Sequence, residues 1–252
     1  MTADEYLGGI LLREAVDRSM GSPVRGVAQT LAPVIQAWSA GHLNSVSPSG
    51  SFAKGTANRS GTDIDLFLSL ASNTPFSLAE IYNTLFNALT KAGYTPRRQN
   101  VSINVRVGGY DVDLVPAKRQ DNNSSDHSLY RRKADSWTKT NVDRHIAVVT
   151  AAGWELESRI FKLWRNQKGL DFPSFYLELT VIEALRGAGG TLSTRVWRVF
   201  EYLGESFTGA RVIDPANTNN IISEDLTAVE KLAIKRAADS ALAAKMWGEI
   251  VR

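Results

Sequence analysis

The 252-residue sequence contains no cysteine. That absence removes a disulfide framework, a thiolate zinc site and cysteine nucleophilic catalysis together. Histidine is nearly as scarce: His42, His127 and His145 are scattered singly, so a histidine-rich metal site is not expected. No apolar run approaches the roughly 18 residues that a membrane span needs. The opening residues, Met-Thr-Ala-Asp-Glu-Tyr, are acidic and lack the basic start and apolar stretch of a secretion signal. A soluble, cytoplasmic protein with no membrane partner is the expectation. Neither sign of charge dominates, since 29 Lys and Arg against 26 Asp and Glu leave +3, compatible with polyanionic ligands without demanding them. Repeats and low-complexity tracts are missing as well.

What is present is ordinary globular usage, 43% hydrophobic and 22% charged, on a chain long enough to bury an ample core. Helical spacing of apolar residues predicts helices over 5–20 and 24–40, the second carrying Val24, Val27, Leu31, Val34, Ile35 and Trp38 and stopped by Gly41. A short apolar element from Val46 runs into a small-residue turn, Ser49-Gly50-Ser51-Phe52-Ala53-Lys54-Gly55-Thr56. Residues 63–70 read as a strand, and Ser77 with Glu80 forms a capping box that opens a helix ending at Gly93. Residues 101–107 alternate cleanly, Gly108-Gly109 makes a hairpin turn, and Tyr110 to Val115 returns until Pro116. After a polar loop over 118–128, helices are predicted over 142–168, 173–187, 192–204 and 223–251. Strands with helices followed by helices alone predict an α+β protein of two lobes, residues 1–140 and 141–252, with the ligand in the cleft between them.

Alternation along the 63–70 strand places Asp63 and Asp65 on one face and Ile64, Leu66, Leu68 and Leu70 on the other. The returning hairpin strand repeats the pattern with Asp111 and Asp113 opposite Val112 and Leu114. Carboxylates gathered on one face repel unless a cation joins them, and magnesium suits an all-oxygen set that also takes substrate phosphates. A lone Asp-x-Asp is more often a pair of turn or edge residues. Here two pairs follow a Gly-Ser turn whose N–H groups and hydroxyls suit an anion. No Gly-Lys-Ser/Thr stands at the spacing of a P-loop.

Gly50-Ser51-Phe52-Ala53-Lys54-Gly55-Thr56, then Thr62-Asp63-Ile64-Asp65-Leu66-Phe67, then Val112-Asp113-Leu114-Val115-Pro116 resembles the polymerase-β-like nucleotidyltransferase superfamily. Within it the chain looks most like the branch of 2′-5′-oligoadenylate synthetases, bacterial cGAS/DncV-like nucleotidyltransferases (CD-NTases) and class I archaeal CCA-adding enzymes. The resemblance implies a mixed-sheet catalytic lobe and a helical lobe that completes the nucleotide pocket, with the N-terminal helices bracing both. It further implies that Gly50 and Ser51 hold the triphosphate, and that Asp63, Asp65 and Asp113 bind two Mg2+ ions, for which Mn2+ can substitute. Asp113 would also help activate the attacking hydroxyl, while Asp111 has no counterpart in the motif. Phe161-Lys162-Leu163-Trp164-Arg165 is similar to the segment whose lysine reaches the triphosphate. Pro173-Ser174-Phe175 looks like the helix start that supplies a phosphate contact, Ser174, and a base-stacking aromatic, Phe175. Read alone, Phe161 and Trp164 suit core anchors, Lys162 a snorkelling surface residue, and Ser174-Phe175 a cap and a core ring. Ile213-Asp214-Pro215 with Asn219-Asn220 resembles a late architectural element.

The activity so implied is transfer of NMP from an NTP to a hydroxyl, with release of pyrophosphate. The first expectation for the product is a short linear or cyclic oligonucleotide second messenger of the bacterial antiviral-signalling type. The alternative is addition to an RNA or tRNA 3′ end, and a third reading of another class is a catalytically silent nucleotide sensor. A band of basic residues, among them Arg97, Arg98, Arg106, Lys118, Arg119, Arg131, Arg132 and Lys139, suits triphosphate or an RNA end, or else pairs with Asp121, Asp126, Asp135 and Asp143. An activating protein partner is left open.

Overall fold

The computed structural model describes all of the chain except Met20 and Thr62. Helix α1 (Ala3–Arg13) opens with a reciprocal cap, in which Thr2 Oγ1 accepts the Glu5 N–H and the Glu5 carboxylate accepts that of Thr2. The helix expected over 5–20 therefore stops early. The Glu14 carbonyl is taken by the Arg59 N–H at 3.1 Å, and Asp17 Oδ1 turns the chain by accepting the Ser19 N–H at 2.8 Å. Met20, the end of that expectation, lies outside the described residues.

Helix α2 (Pro23–Ser39) starts on a proline, which has no N–H to leave unpaired, and buries Val24, Val27, Leu31 and Ile35 along one stripe. Left-handed Ala40 and Gly41 then turn the chain into β1 (Leu43–Pro48). The expected small-residue turn is instead a single helical turn, α3 (Gly50–Lys54), followed by β2 (Ile64–Leu70). Helix α4 (Leu78–Lys91) carries the capping box between Ser77 and Glu80 as expected. Next come β3 (Arg97–Arg98), β4 (Ile103–Val107) and β5 (Tyr110–Arg119). Pro116 does not end β5. It pairs in register with Leu68 of β2, at a point where the pairing with β4 has ended, Ile103 opposite Leu114, and that with β6 has not begun, so no ladder bond is asked of it on that flank. The expected polar loop shrinks to 120–126, because β6 (His127–Arg131) and β7 (Ser136–Thr140) form a hairpin around Asp135 at φ 42°.

The remainder is helical: α5 (Val142–Ala152), α6 (Glu155–Gln167), α7 (Ser174–Ala184), α8 (Leu192–Glu205), α9 (Ala228–Leu242) and α10 (Trp247–Ile250). One helix was expected over 142–168; Gly153 at φ 72° divides it into α5 and α6. The helix expected over 223–251 begins later, at a further capping box between Thr227 and Glu230. It is broken before α10, where the Glu249 carboxylate accepts the Lys245 N–H.

Two compact units result. One comprises residues 17–53 and 62–146, the other residues 1–16, 54–61 and 147–252. In the first, the described residues form a mixed seven-stranded sheet that runs β1-β2-β5-β4-β3, with the β6–β7 hairpin added to the far end of β5. The β2–β5 pair is parallel and every other pairing antiparallel. Ile64, Leu66, Leu68 and Leu70 of β2, with Val112 and Leu114 of β5, form the buried apolar face, and α2 and α4 pack on the sheet. The second unit is built on interlocked aromatic rings. Phe161 lies 4.6 Å from Phe200 between centroids and Trp164 lies 5.2 Å from it, while Leu7 and Ile10 of α1 join the same core. Phe161 and Trp164 are thus core anchors. Asp214 is structural too, since its carboxylate accepts the Ala216 N–H and the Asn220 side-chain amide. Among the described residues, no helix is long and apolar enough to cross a membrane.

Candidate active site

The strand face opposite the apolar core carries the acidic residues. Asp65 of β2 pairs in register with Asp113 of β5, and Asp63 stands exposed just before β2. Thr62, part of the same motif, lies outside the described residues. Loss of water and the neighbouring charges of Asp113 and Asp111 push the Asp63 carboxyl above its ordinary range. Burial, chiefly, does the same to Asp113.

Asp113 is held from one side. Its Oδ1 accepts the Asn104 amide at 2.8 Å and the Gln99 amide at 3.1 Å, bonds that favour the ionised form. Asn104 can point its NH2 that way because its own oxygen receives Arg97 Nη2 at 2.7 Å and Nε at 3.2 Å. Arg97 also reaches Asp111 at 3.0 Å, so Asp111 serves this support. Gln99 and Asn104 were not singled out from the sequence, and Arg97 was named only as one of a basic band, although counting back across the Gly108-Gly109 turn sets Asn104 opposite Asp113.

The Gly-Ser turn is fitted to the same strand. The Ser49 N–H donates to the Asp65 carbonyl at 2.8 Å, and Gly50 adopts φ 56°, a left-handed conformation. A Cβ on Gly50 would lie 1.7 Å from Asp65 Oδ2. Only glycine lets the turn pass this close to the carboxylate.

An oxygen-only donor set at a turn with this clearance fits Mg2+ or Mn2+, which take carboxylate ligands together with substrate phosphates. Among the described residues, no three His, Cys, Asp or Glu side chains already stand close enough to enclose an ion. The carboxylates are a set that a cation would draw together. Their mutual repulsion yields a test. Asp63 has a folded-state pKa above its unfolded value, so folding penalises its ionised form; the penalty is full above the folded pKa and fades as pH falls through it. Asp63→Asn should therefore raise the unfolding temperature at pH 7 in chelator, by on the order of 1–2 °C given solvent screening. The gain should vanish by about pH 3. Thermal unfolding at both pH values checks this, and an equal gain at both would remove the electrostatic cause.

Lys162, Ser174 and Phe175 all lie in the helical unit. Lys162 is not a surface residue: it is buried, with Nζ donating to Glu178 Oε1 at 2.6 Å and to Thr56 Oγ1 at 2.8 Å. Lys54 donates to the other Glu178 oxygen and lies 4.8 Å from the centre of the Phe175 ring. Ser174 Oγ, at the start of α7, accepts from Arg165 Nη1 at 3.0 Å. Two ammonium groups thus share one carboxylate inside the protein, and burial pulls Lys162 down to about 8 against the pull of Glu178. Lys54 and Glu178 gave no sequence signal as a pair, since 124 positions separate them. Removing the shared anion leaves both cations uncompensated, so Glu178→Ala should cost about 3–5 kcal/mol. That corresponds to a fall in unfolding temperature on the order of 10 °C; a variant melting with the parent would show the cluster to be dispensable.

No family model matches the chain. Among curated proteins it is 27% identical over 157 residues to the cyclic AMP-AMP-AMP synthase of Escherichia coli (strain MS 115-1), covering 57% of this chain and 49% of that one. The match thus spans about half the length of that relative. Among solved structures, E. coli MS115-1 CdnC with ATP superposes with a TM-score of 0.78 at 22% identity, covering 99% of this chain and 97% of the other. The Bradyrhizobium diazoefficiens CD-NTase CdnG in complex with GTP gives 0.77 at 13% identity, covering 98% and 94%. The chain thus shares the fold of CdnC and of the CD-NTase CdnG.

Proposed function

We propose that this chain is a metal-dependent, template-independent nucleotidyltransferase that joins NTPs into a short linear or cyclic oligonucleotide signal and releases pyrophosphate. The observation that carries the reading is the Gly50 turn fitted against Asp65, with Asp113 in register beside it. The names of the relatives, a cyclic trinucleotide synthase and a CD-NTase, support the cyclic product.

Asp63, Asp65 and Asp113 would hold the metal ions. Bound there, Mg2+ or Mn2+ supplies charge neutralisation at the reacting phosphate and lowers the pKa of the attacking hydroxyl. The chain does the placing. Gly50 and Ser51 offer N–H and hydroxyl groups to the β- and γ-phosphates. Asn104 and Gln99 keep the Asp113 carboxylate in one orientation and favour its ionised form, as a group that must face a cation requires. In the helical unit, Ser174 and Phe175 are our proposed nucleotide contacts at the start of α7. Lys162 holds that helix through Glu178, one turn further on. Little covalent chemistry is asked of the protein, so catalysis rests on position and charge.

The test is incubation with each labelled NTP, and all four together, in Mg2+ or Mn2+, followed by phosphatase and separation by size. Phosphatase-resistant small products with matching pyrophosphate release are expected. No pyrophosphate from any NTP with either metal would refute the reading, and label found solely on added tRNA would replace the acceptor.

A further inference from the structure

Two aromatic side chains of the helical unit stay out of its interlocked core. Trp197 and Trp247 pack against that core only in part and line an open groove of about 420 Å3, with Ala3, Thr194, Arg198 and Glu201 among its other walls. The two indoles lie 6.2 Å apart between centroids with their planes at 77°, so they form two walls of a corner. A cation seated in such a corner would lie ~4–5 Å from each ring centre, inside the ~6 Å reach of cation–π attraction.

Neither wall is loose. Trp197 belongs to α8, whose Val196, Val199, Phe200 and Leu203 are buried, so the helix cannot turn to hide it. Trp247 opens α10, a helix of four residues that is too short to hold its shape alone. Bonds from elsewhere in the unit fix it. The Tyr6 hydroxyl donates to the Val251 carbonyl, Lys168 Nζ to the Glu249 carbonyl at 3.1 Å, and Gln167 Nε2 to the Arg252 carbonyl at 2.7 Å. A site formed in advance loses less of its binding energy to ordering.

The charge around the corner favours a cation. Glu201 lies four residues after Trp197 and so shares its face of α8. It is exposed and, among the described residues, its carboxylate is in no ion pair. Asp4 adds a second carboxylate. Its Oδ1 accepts the N–H of Ser193, a residue of the groove wall, at 2.7 Å, a bond that holds the carboxyl below its usual range and therefore ionised. Arg198 also lines the groove, but its Nε is turned to the Ala184 carbonyl at 3.2 Å, where the C-terminal end of α7 carries partial negative charge.

A flat guanidinium can stack on an indole face while it forks two hydrogen bonds to a carboxylate, which a compact ammonium does not do. We propose that this corner is a docking site for a partner protein, which inserts an arginine side chain between Trp197 and Trp247 against Glu201. Ala3 and the exposed Met246 beside Trp247 give an apolar rim to the residues flanking that arginine, contacts that free arginine lacks. Arg198 meets α7 at the end opposite Ser174, ~15 Å along the helix, so an occupant of the groove leaves the proposed nucleotide contacts open. The site therefore does not depend on the nucleotidyltransferase reading.

The probe is the blocked tripeptide acetyl-Leu-Arg-Leu-amide, titrated into the full chain with labelled tryptophan. The chain has 6 tryptophans, and Trp197→Phe and Trp247→Phe assign two of the indole N–H signals by deleting one each. In the parent those two signals should shift saturably, at lower concentration than free arginine requires. The same peptide with citrulline, which keeps the shape and loses the charge, should bind at least about fivefold more weakly. Glu201→Gln should unfold with the parent yet weaken peptide binding about two- to fivefold. Trp197→Leu should weaken the binding read at Trp247 by about fivefold or more. No shift at either tryptophan, equal binding of the citrulline peptide, or unchanged affinity in Glu201→Gln would overturn the inference. Free arginine binding as tightly as the peptide would also overturn it, by making the groove a small-molecule site. So would sedimentation that shows dimers of the parent dissolved by Glu201→Gln, which would give the corner to a second copy of the chain.

Discussion

Asp113→Asn is expected to lower pyrophosphate release about a thousandfold or more while nucleotide affinity stays within a fewfold of the parent. Asparagine keeps the size of the side chain and an oxygen for the Asn104 and Gln99 amides, so the strand and its neighbours need not move. What disappears is one negative charge that, in the proposed function, would face the reacting phosphate. Several kcal/mol of transition-state stabilisation rest on such charges, and each 1.36 kcal/mol is tenfold in rate. In the proposed function, ground-state binding would lean on the Gly50-Ser51 turn, which the change does not touch. Nucleotide binding by calorimetry beside steady-state turnover separates the two effects. Turnover within tenfold of the parent would sink the assignment of Asp113.

Gly50→Ala should be nearly as damaging without altering a charge. The new methyl would lie 1.7 Å from Asp65 Oδ2, 2.5 Å from its Cγ and 3.0 Å from its Cβ, so Asp65 or the turn must move. The backbone at φ 56° adds about 1–2 kcal/mol of strain for any residue with a Cβ. A displacement of about 1 Å at a positioned catalytic group costs on the order of a hundredfold in rate. Turnover should thus fall by about that factor, with an unfolding temperature lower by a few degrees. Gly41→Ala is the control, because Gly41 shares the left-handed conformation but a Cβ there would meet nothing within 4 Å. It should lose comparable stability and keep its rate. Equal loss of rate in both variants would point to folding rather than to the clearance at Asp65.

These residues were legible in the sequence because their signals are local. Period-2 alternation needs only consecutive residues, so it reveals Asp63, Asp65, Asp111 and Asp113, and the Gly-Ser turn sits just ahead of the first pair. The support around Asp113 needed one further step, register across the hairpin, which sets Asn104 opposite it. The cluster of Lys54, Thr56, Lys162 and Glu178 was beyond reach. Three of the four lie in motifs the sequence offered, but Glu178 carries no signal, and their meeting depends on packing between segments far apart in sequence. The strand boundaries at Pro116 and His127 were missed for a similar reason. A proline ends a strand only where its flank must donate, and no local pattern tells where β4 stops short of β6.

The interleaving of the two units along the chain has a consequence for the order in which they form. The sheet unit lies within residues 17–146, interrupted by one short excursion, and most of its pairings are complete once β7 has been made. The helical unit must wait. Helix α1 is synthesised before the other elements of its unit, yet it packs against α6, α8 and α10, and the Tyr6 hydroxyl donates to the Val251 carbonyl at 3.0 Å. At about 5–20 residues per second, α1 stays without its partners for on the order of ten seconds or more while the rest of the chain is translated. The carboxylate face can therefore take shape on the ribosome well before the core that includes Lys54 and Thr56 closes.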